Sequence, residues 1–328
     1  MQITFLFGYF FLGAFLSNLI LRNGIKIFER YFLDNPNKRS LHIQPVPSAG
    51  GLSFIIPLFF YDLISGFLNN FKENIPLSLL CIPLILISLL DDLINVSPRY
   101  RYLFQLLTSF LVLSFGNINL FYFNTFLNVL IFIFLVIFIT AVINFTNFMD
   151  GSDGLVAGCM FVFFLMISIK LNLSISIIIL LGSLASFIYW NWAPAKIFMG
   201  DVGSTFLGVY FIGNLFQFQS IYEILGLLLI SSPLFGDALI TIFRRILASQ
   251  NIFKAHRQHL YQRLYLGKLS KKQVAIIYIL QSFVIGIVFI KLNFMYEIGT
   301  IFSCLFIMYL LEKKYAVSFE EAMQNKLV

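Results

Sequence analysis

Five aspartates lie in three short polar stretches whose composition is typical of a metal and phosphate site. They are Asp91 and Asp92 in a DD pair, Asp150 and Asp153 in DGSDG, and Asp201 in GDVGS. Clustered carboxylates repel one another unless a hard cation such as Mg²⁺ neutralises them, and Mg²⁺ favours one or two carboxylates together with substrate phosphates. Glycines beside Asp201 allow backbone amides to approach a ligand closely. These residues predict phosphoryl chemistry that needs Mg²⁺, with Mn²⁺ as a substitute.

Basic residues and histidines accompany the aspartates. The cations considered as partners for anionic oxygens are Lys38, Arg39, Arg244, Arg245, Lys254 and Arg257. Acidic metal ligands surrounded by cations indicate a substrate that carries phosphate. All three histidines of the chain, His42, His256 and His259, lie in the same polar stretches.

The remainder of the chain has the composition of a membrane protein. Hydrophobic residues make up 59% of the 328 residues, charged residues make up 11%, and the mean hydropathy is +0.90. Since soluble domains contain roughly 25% charged residues, we predict an all-α, single-domain, multispanning membrane protein over residues 1–328. The net charge of +7 does not indicate nucleic acid, because no basic stripe alternates with stacking aromatic residues. The cysteines show no CxxC spacing and do not support a thiolate metal site.

Eleven apolar segments are predicted to cross the bilayer as helices. They lie near residues 3–21, 50–68, 75–90, 102–115, 126–143, 155–171, 173–190, 204–216, 221–243, 274–290 and 298–311. Some are shorter than the ~20 residues that a spanning helix needs. Pro57, Pro83 and Pro233 predict kinks. Cations follow the first segment rather than precede it, so we expect this segment to be retained with the N-terminus outside.

The positions of lysine and arginine predict the orientation. With the N-terminus outside, 19 of the 22 basic residues fall inside and only Lys72, Lys170 and Lys291 fall outside, as the positive-inside rule requires. The motif-bearing stretches then share the inside face, and we predict one active site on cytoplasmic loops. We name these stretches polar loops 1 to 5, which are residues 35–51, 91–101, 144–155, 191–204 and 244–264.

The motifs, in this order and with these separations, resemble those of a known family. The DD pair, NFTNFMDGSDGL, NWAPAKIFMGDVGS and HRQHLYQRL resemble the polyprenyl-phosphate N-acetylhexosamine-1-phosphate transferases of glycosyltransferase family 4, which include WecA-, WbpL- and MraY-like enzymes. The resemblance covers roughly residues 35–264. Single DG dipeptides are common turns, so the specificity comes from the ordered set.

The resemblance implies an activity and a setting. The activity is transfer of a sugar 1-phosphate from a UDP-N-acetylhexosamine to polyprenyl (undecaprenyl) phosphate with release of UMP, the initiating step of a cell-envelope glycan such as the lipopolysaccharide O antigen. The setting is the bacterial cytoplasmic membrane, with membrane lipids rather than nucleic acid as partners and with a homodimer as a compatible assembly. His256, Arg257 and His259 are spaced as in the WbpL-like branch, whereas MraY-like enzymes carry adjacent histidines. This argues against a muramyl-peptide donor and for a smaller N-acetylated sugar.

The resemblance also implies roles for individual residues. The catalytic set is Asp91, Asp92, Asp150 and His259, the metal ligands are Asp153 and Asp201, and the substrate-binding residues are Lys38, Arg39, His42, Asn144, Asn147, Asn191, His256 and Arg257. Asp91 and Asp92 orient or deprotonate the lipid phosphate, and Asn191 resembles an asparagine that contacts uridine. A phosphate monoester with a second pKa near 6 is already largely a dianion at pH 7, so alignment of the two anions is the larger task.

Structural interpretations of the same residue types remain open. An aspartate before glycine can cap a helix, and histidines can be polar residues at the headgroup boundary. Lys268, Lys271 and Lys272 are best interpreted as anchors to anionic lipid. Asp237 is predicted to form a structural ion pair or hydrogen bond, and Asp62 receives no role.

Other function classes fit the sequence less well. A transporter would place its charges near the midplane and often shows internal repeats, whereas here the charges concentrate at one face and no repeat is found. A CDP-alcohol phosphotransferase would need DGxxAR followed by GxxxDxxxD, but Gly154 is followed by LVAG. An MraY-like phospho-N-acetylmuramoyl-pentapeptide transferase is the main alternative, and a multispan transporter is the alternative from a different class.

Overall fold

The computed structural model is helical almost throughout and describes residues 2–36, 44–68, 75–116, 125–252, 254, 256–292 and 294–323. The helices of these described residues are α1 (Gln2–Tyr31), α2 (Leu52–Leu68), α3 (Leu77–Leu80), α4 (Ile82–Ile94), α5 (Pro98–Phe115), α6 (Thr125–Met149), α7 (Leu155–Lys170), α8 (Ile175–Asn191), α9 (Gly200–Leu215), α10 (Ile221–Leu229), α11 (Ser232–Leu247), α12 (Leu260–Leu266), α13 (Lys271–Lys291), α14 (Phe294–Tyr315) and α15 (Phe319–Met323). Two short strands, β1 (Leu33–Asp34) and β2 (Val46–Pro47), pair antiparallel. The helical class predicted from sequence is confirmed, with this two-residue ladder as an exception to the all-α prediction.

Each of the eleven apolar segments coincides with a helix or a broken pair of helices. Four helices of the described chain are long and apolar enough to cross a membrane, namely α1, α6, α13 and α14, and the bent pair of α10 and α11 adds a fifth if it forms one span. The chain is thus a multi-pass membrane protein, whereas the number of eleven spans and their direction stay predictions.

Two of the three prolines named above lie at helix breaks. α3 ends before Cys81, and Pro83 lies in the first turn of α4. α10 and α11 meet at an angle of 76°, and Pro233 lies in the first turn of α11. Proline is tolerated in a first turn because the N–H that it lacks would have no helical partner there. Pro57, by contrast, lies inside the continuous helix α2.

Helix α9 is the central element of the bundle. All its residues from Val202 to Leu215 are buried, as expected of a helix that is apolar on every side, and α4, α6 and α7 pack around it. A Cβ on Gly203 would lie 2.9 Å from the Cα of Gly51 at the start of α2, so the two backbones can meet only because both residues are glycine. The first turn of α9, which contains Asp201, is thereby held at the polar end of the bundle.

Polar loops 1 and 4 are joined by backbone hydrogen bonds at this end. The N–H of Phe198 donates to the carbonyl of Pro47 at 2.8 Å. The N–H groups of Gly50 and Gly51 donate to the carbonyls of Phe198 and Met199, each at 2.9 Å. The two loops therefore form one unit that leads into α9.

Asp62 in α2 has a structural role that the sequence did not indicate. Its two carboxylate oxygens accept hydrogen bonds from the hydroxyls of Ser78 in α3 and Ser176 in α8, both at 2.6 Å. Because buried polar groups are stable only when hydrogen-bonded, this carboxylate fastens three helices together.

Candidate active site

The centre of the site is the N-terminus of α9, where backbone N–H groups have no partner within the helix. Asp92, near the end of α4, accepts from two of them: Oδ1 from the N–H of Asp201 at 2.9 Å and Oδ2 from the N–H of Val202 at 3.1 Å. Gly200 has a φ of +73°, and a Cβ there would lie 2.6 Å from Asp92 Oδ2. The helix dipole also stabilises a carboxylate at this position. Asp92 therefore fixes Asp201 in place.

Arg101 in α5 bridges two carboxylates that come from different loops. Its Nη1 donates to Asp91 Oδ2 at 2.5 Å and to Asp201 Oδ2 at 3.0 Å. Asp91 Oδ1 accepts from the N–H of Val96 at 2.7 Å. In the sequence, Arg101 is only one of the basic residues predicted on the inside face, and it is not among the predicted site residues. The signal that could have found it was its position in polar loop 2, ten residues after Asp91.

Polar loop 3 adds an amide and a further carboxylate to this cluster. Nδ2 of Asn147 donates to Asp201 Oδ1 at 2.9 Å and to the hydroxyl of Ser204 at 3.0 Å. Burial, followed by the negative charges of the neighbouring aspartates, raises the pKa of Asp150 well above its ordinary value. The structure thus brings together aspartates from polar loops 2, 3 and 4, and their mutual repulsion favours a cation or a proton at this point.

Asp153 has different partners from the other aspartates. Its Oδ1 lies 2.8 Å from Nζ of Lys271, its Oδ2 accepts from the N–H of Ala195 at 3.1 Å, and its side chain is 5% exposed. The interpretation of Lys271 as a lipid anchor is wrong, because the lysine side chain is only 15% exposed and forms this ion pair inside the protein. With both oxygens engaged, Asp153 joins polar loops 3 and 4 to α13, and its role as a metal ligand stays a prediction.

The carboxylates at α9 suit a magnesium ion that arrives with its substrate. Within the described ranges, no group of three or more His, Cys, Asp or Glu side chains could hold a metal ion on its own. Mg²⁺ commonly binds through one or two carboxylates plus substrate phosphates and keeps several waters. Asp201 together with Asp150 would supply hard oxygen ligands of this kind, so the residues present fit the ion.

Two asparagines predicted to bind substrate have amides engaged within the protein. Asn191 is 4% exposed, its Oδ1 accepts from the N–H of Gly154 at 2.9 Å, and its Nδ2 donates to the carbonyl of Ile197 at 2.8 Å. The amide of Asn144 exchanges hydrogen bonds with that of Gln105 at 2.8 and 3.3 Å. These contacts favour positioning roles, and direct contact with a nucleotide stays a prediction.

A buried carboxylate of α11 shapes polar loop 5. Asp237 accepts from the N–H groups of Leu260 at 2.7 Å and Tyr261 at 3.0 Å, which begin α12, and from the hydroxyl of Tyr278 at 2.8 Å. The hydrogen-bonding role predicted for Asp237 is confirmed. The hydroxyl of Tyr261 in turn donates to the carbonyl of Phe148 at 3.3 Å. Phe148 lies at the end of α6 and belongs to polar loop 3, so polar loops 5 and 3 are in contact.

His256 and His259 lie side by side, with ring centroids 4.9 Å apart. Nδ1 of His259 is 3.8 Å from Asp237 Oδ1, which is too long for a hydrogen bond. Nδ1 of His256 accepts from the N–H of Gln258 at 3.2 Å. Burial, then the proximity of His259 and Arg245, lowers the pKa of His256 to about 3. His256 is therefore neutral at pH 7 and offers hydrogen bonding rather than charge.

The first two arginines of polar loop 5, Arg244 and Arg245, bind to other groups of the protein. Arg245 is buried and donates from Nη2 to the carbonyls of Asn251 at 2.6 Å and Lys254 at 3.0 Å. Arg244 forms a two-pronged ion pair with Glu312, with N–O distances of 2.5 and 3.1 Å. These contacts do not support the expectation that the two arginines bind substrate phosphate.

Of the other residues predicted to bind substrate, the structure describes only Arg257. Lys38, Arg39 and His42 lie outside the described residues. Arg257 is half-buried in polar loop 5, and burial lowers its pKa.

The carboxylate cluster at α9 lies within a region of the chain that matches a known protein family. The family model for glycosyl transferase family 4 matches residues 75–218, which contain α4 to α9. The chain is 28% identical over 314 residues to the probable undecaprenyl-phosphate N-acetylglucosaminyl 1-phosphate transferase of Bacillus subtilis, covering 90% of this chain and 85% of that protein. It is 29% identical over 235 residues to the undecaprenyl-phosphate alpha-N-acetylglucosaminyl 1-phosphate transferase of Thermotoga maritima, covering 71% and 73%.

A relative with a different name also matches along most of its length. The phospho-N-acetylmuramoyl-pentapeptide-transferase of Petrotoga mobilis is 26% identical over 308 residues, covering 87% of this chain and 95% of that protein. The matches with proteins of both names extend beyond the carboxylate cluster, so overall similarity does not decide the donor.

Proposed function

We propose that the chain is a member of glycosyl transferase family 4, as its similarity to that family supports, and that it transfers an N-acetylhexosamine 1-phosphate from a UDP-linked donor to undecaprenyl phosphate. An oxygen of the lipid phosphate forms a bond to the β-phosphorus of the donor. The bond between this phosphorus and the oxygen that bridges to the α-phosphorus breaks, and UMP leaves with that oxygen. The relatives from B. subtilis and T. maritima are named for N-acetylglucosamine, so UDP-N-acetylglucosamine is the first donor to test.

The observation that carries the proposal is the cluster of carboxylates bridged by Arg101 at the N-terminus of α9. Two anionic substrates repel each other, so alignment and charge neutralisation are the main tasks of such an enzyme. Nη1 of Arg101 contacts Asp91 and Asp201, and the guanidinium has further N–H donors that can reach phosphate oxygens. This geometry supports binding of a diphosphate beside Asp201.

The two aspartates of the DD pair are better suited to positioning than to proton removal. Asp92 uses both oxygens on amides of α9, and Asp91 uses one on Val96 and the other on Arg101. The lipid phosphate is already largely a dianion at pH 7, so it needs no strong base. We therefore assign Asp91 to orienting Arg101, and Asp92 to orienting Asp201.

We further propose that Mg²⁺ binds to Asp201, to Asp150 and to the donor diphosphate, with Mn²⁺ as a substitute. Asp150 replaces Asp153, the second ligand predicted from the sequence, because both Asp153 oxygens are engaged by Lys271 and Ala195. When bound, the ion neutralises charge on the phosphoryl group that is transferred. The convergence of Asp91, Asp92 and Asp201 at the N-terminus of α9 supports a cation at this place.

The cellular setting is also part of the proposal. We propose that the polar loops face the cytoplasm of a bacterial cell and that the enzyme initiates a cell-envelope glycan at the inner membrane. The distribution of 19 inside and 3 outside basic residues supports this orientation.

A muramoyl-pentapeptide donor is the second candidate, because the Petrotoga mobilis relative is matched over 95% of its length. The spaced His256 and His259, in place of a run of adjacent histidines, favour the smaller sugar.

The test is a reaction with the full-length protein in nanodiscs that contain undecaprenyl phosphate. UDP-N-acetylglucosamine and UDP-N-acetylmuramoyl-pentapeptide are supplied separately with Mg²⁺, and UMP and lipid products are measured by mass spectrometry. We expect equal amounts of UMP and undecaprenyl-diphosphate sugar with the first donor, and none after EDTA. Absence of UMP with every UDP-sugar, from protein that remains folded, would overturn the proposal.

A further inference from the structure

The end of the last long helix and the segment after it hold polar loop 5 in place. We call residues 312–323, which comprise the end of α14 and α15, the C-terminal clamp. This segment lies beyond residue 218, where the match to the family model ends. Its contacts therefore lie outside the region that the family model matches.

Glu312 is the ionic centre of the clamp. Its Oε1 accepts from Arg244 Nη1 at 2.5 Å and from Arg263 Nη2 at 2.7 Å, and its Oε2 accepts from Arg244 Nη2 at 3.1 Å. The side chain of Arg263 is only 2% exposed. A buried guanidinium requires a counter-ion, because an unpaired charge inside a protein is strongly destabilising. Glu312 thus forms ion pairs with the arginines near both ends of polar loop 5.

Backbone and aromatic contacts extend the clamp. The N–H of Val317 donates to the carbonyl of Arg263 at 3.0 Å, and Nη1 of Arg263 donates back to the carbonyl of Val317 at 3.1 Å. The ring of Phe319 lies 5.8 Å from the guanidinium carbons of both Arg244 and Arg263, within range of a cation–π interaction. The clamp therefore holds the two arginines by several independent contacts.

Arg263 connects the C-terminal clamp directly to the part of polar loop 5 that contains the histidines, residues 256–259. Its Nε donates to the carbonyl of Gln258 at 3.1 Å, and its N–H donates to the carbonyl of His259 at 3.0 Å. Gln258 lies between Arg257 and His259 in the chain. A continuous path of hydrogen bonds thus leads from Glu312 through Arg263 to the residues predicted to recognise the donor.

We propose that Glu312 is a positioning residue for donor recognition, and that the C-terminal clamp keeps polar loop 5 in the shape that presents His256, Arg257 and His259 to the UDP-sugar. This inference rests on the proposed function and deepens it. The C-terminal clamp would then determine donor affinity although it is separate from the carboxylate cluster and from the proposed site of the lipid phosphate.

The kinetic test compares Glu312→Gln and Phe319→Ala with the unmodified protein in the nanodisc assay. We expect Glu312→Gln to raise the KM for UDP-N-acetylglucosamine about tenfold and Phe319→Ala about threefold, with kcat and the KM for undecaprenyl phosphate changed less than about twofold. Glu312→Asp keeps the charge and should recover most of the donor affinity. An unchanged donor KM in both Glu312→Gln and Phe319→Ala would overturn the proposal.

A matched control separates the clamp from a general effect of losing an ion pair. Glu223 in α10 pairs with Lys170 at 3.6 Å, so Glu223→Gln makes the same chemical change outside polar loop 5 and the clamp. It should leave both KM values unchanged. A donor KM raised equally in Glu223→Gln would contradict a specific role for Glu312. If Glu312→Gln does not fold, Phe319→Ala decides the outcome.

Hydrogen exchange of the full-length protein, measured without substrates, provides a second readout. Amides of residues 256–266 should exchange faster in Glu312→Gln than in the unmodified protein, while those of α6 and α9 stay unchanged. Equal exchange in residues 256–266 would overturn the clamp. Failure of the proposed function would appear instead as absence of UMP release by the unmodified protein, and the exchange comparison would still decide whether the clamp holds polar loop 5.

Discussion

The carboxylate cluster at α9 and polar loop 5 differ in how their charges are balanced. At α9, the aspartates of polar loops 2, 3 and 4 outnumber Arg101, the cation that bridges two of them in the described structure. At polar loop 5, Asp237 accepts hydrogen bonds from backbone amides, and Glu312 forms ion pairs with Arg244 and Arg263. The first region has an excess of carboxylates, whose mutual repulsion a bound cation or a proton would relieve. In the second region, both carboxylates have partners within the protein, and these contacts give the loop a defined shape.

From this difference we infer that the carboxylate cluster at α9 carries out the chemistry and that polar loop 5 recognises the donor. Uncompensated charge is costly inside a protein, and strongly perturbed carboxylates concentrate at functional sites. Changes at α9 should therefore lower kcat, whereas changes in polar loop 5 or its clamp should raise the donor KM.

Asp201→Asn should remove most of the activity. Asn keeps the size of the side chain but loses a charged ligand, so we expect kcat to fall by at least about 100-fold, the scale on which a single preorganised electrostatic group acts. UMP release at saturating substrate measures the change. Asp62→Asn provides the control, since it replaces a buried carboxylate whose hydrogen-bond partners among the described residues are Ser78 and Ser176. A similar loss of kcat in both variants would contradict a specific role for Asp201.

The buried pair of Lys271 and Asp153 should contribute mainly to stability. Lys271→Met leaves a buried carboxylate without its counter-ion, so we expect the free energy of unfolding to fall by about 3 kcal/mol. The double variant Lys271→Met with Asp153→Asn should regain part of this loss, because neither charge remains unpaired. Thermal unfolding in detergent measures both. If the double variant is stable but lacks all turnover, Asp153 also acts in the chemistry.

Asp92→Asn should lower kcat by about tenfold, because an amide can accept only one of the two α9 hydrogen bonds and Asp201 is then held less firmly. The KM for the UDP-sugar should change less than about threefold. Steady-state kinetics with varied donor separates the two parameters. An unchanged kcat would remove Asp92 from the positioning role.

Arg101→Gln should change the metal dependence as well as the rate. Loss of the positive charge leaves Asp91 and Asp201 without their bridge, so divalent cations should bind more tightly and activate at lower concentration. We expect kcat to fall by about tenfold because the phosphate loses a charged donor. Titration of activity with MgCl₂ measures both effects. A higher Mg²⁺ requirement in the variant would contradict the account.

His256 should give the smallest effect, visible in stability against pH. Its pKa is lowered to about 3 in the folded protein, whereas an unfolded histidine has a pKa near 6.5. The unfolded state therefore binds the proton more readily, and the contribution of His256 to stability is lost progressively as the pH falls below about 6.5. Melting temperatures at pH 7 and pH 5 should differ more in the unmodified protein than in His256→Gln. Equal differences would show that His256 is not held neutral.

The sequence predicted the helices and much of the acidic cluster because both depend on local pattern. Apolar runs mark the helices, and proline chemistry placed two breaks near Pro83 and Pro233. The partners of individual side chains depend on which loops meet in space, and a single sequence does not contain that information. This is why Lys271 was misinterpreted and why the bridge formed by Arg101 was missed. Glu312, beside two lysines at the end of an apolar helix, has the local pattern of an ordinary interfacial charge.

The most direct test of the cluster at α9 is Mn²⁺ binding measured by electron paramagnetic resonance in the presence of UDP-N-acetylglucosamine. The account predicts bound Mn²⁺ in the unmodified protein and in Glu312→Gln at saturating donor, and loss of the bound signal in Asp201→Asn. The same bound signal in Asp201→Asn as in the unmodified protein would show that the N-terminus of α9 does not hold the metal ion used in phosphoryl transfer.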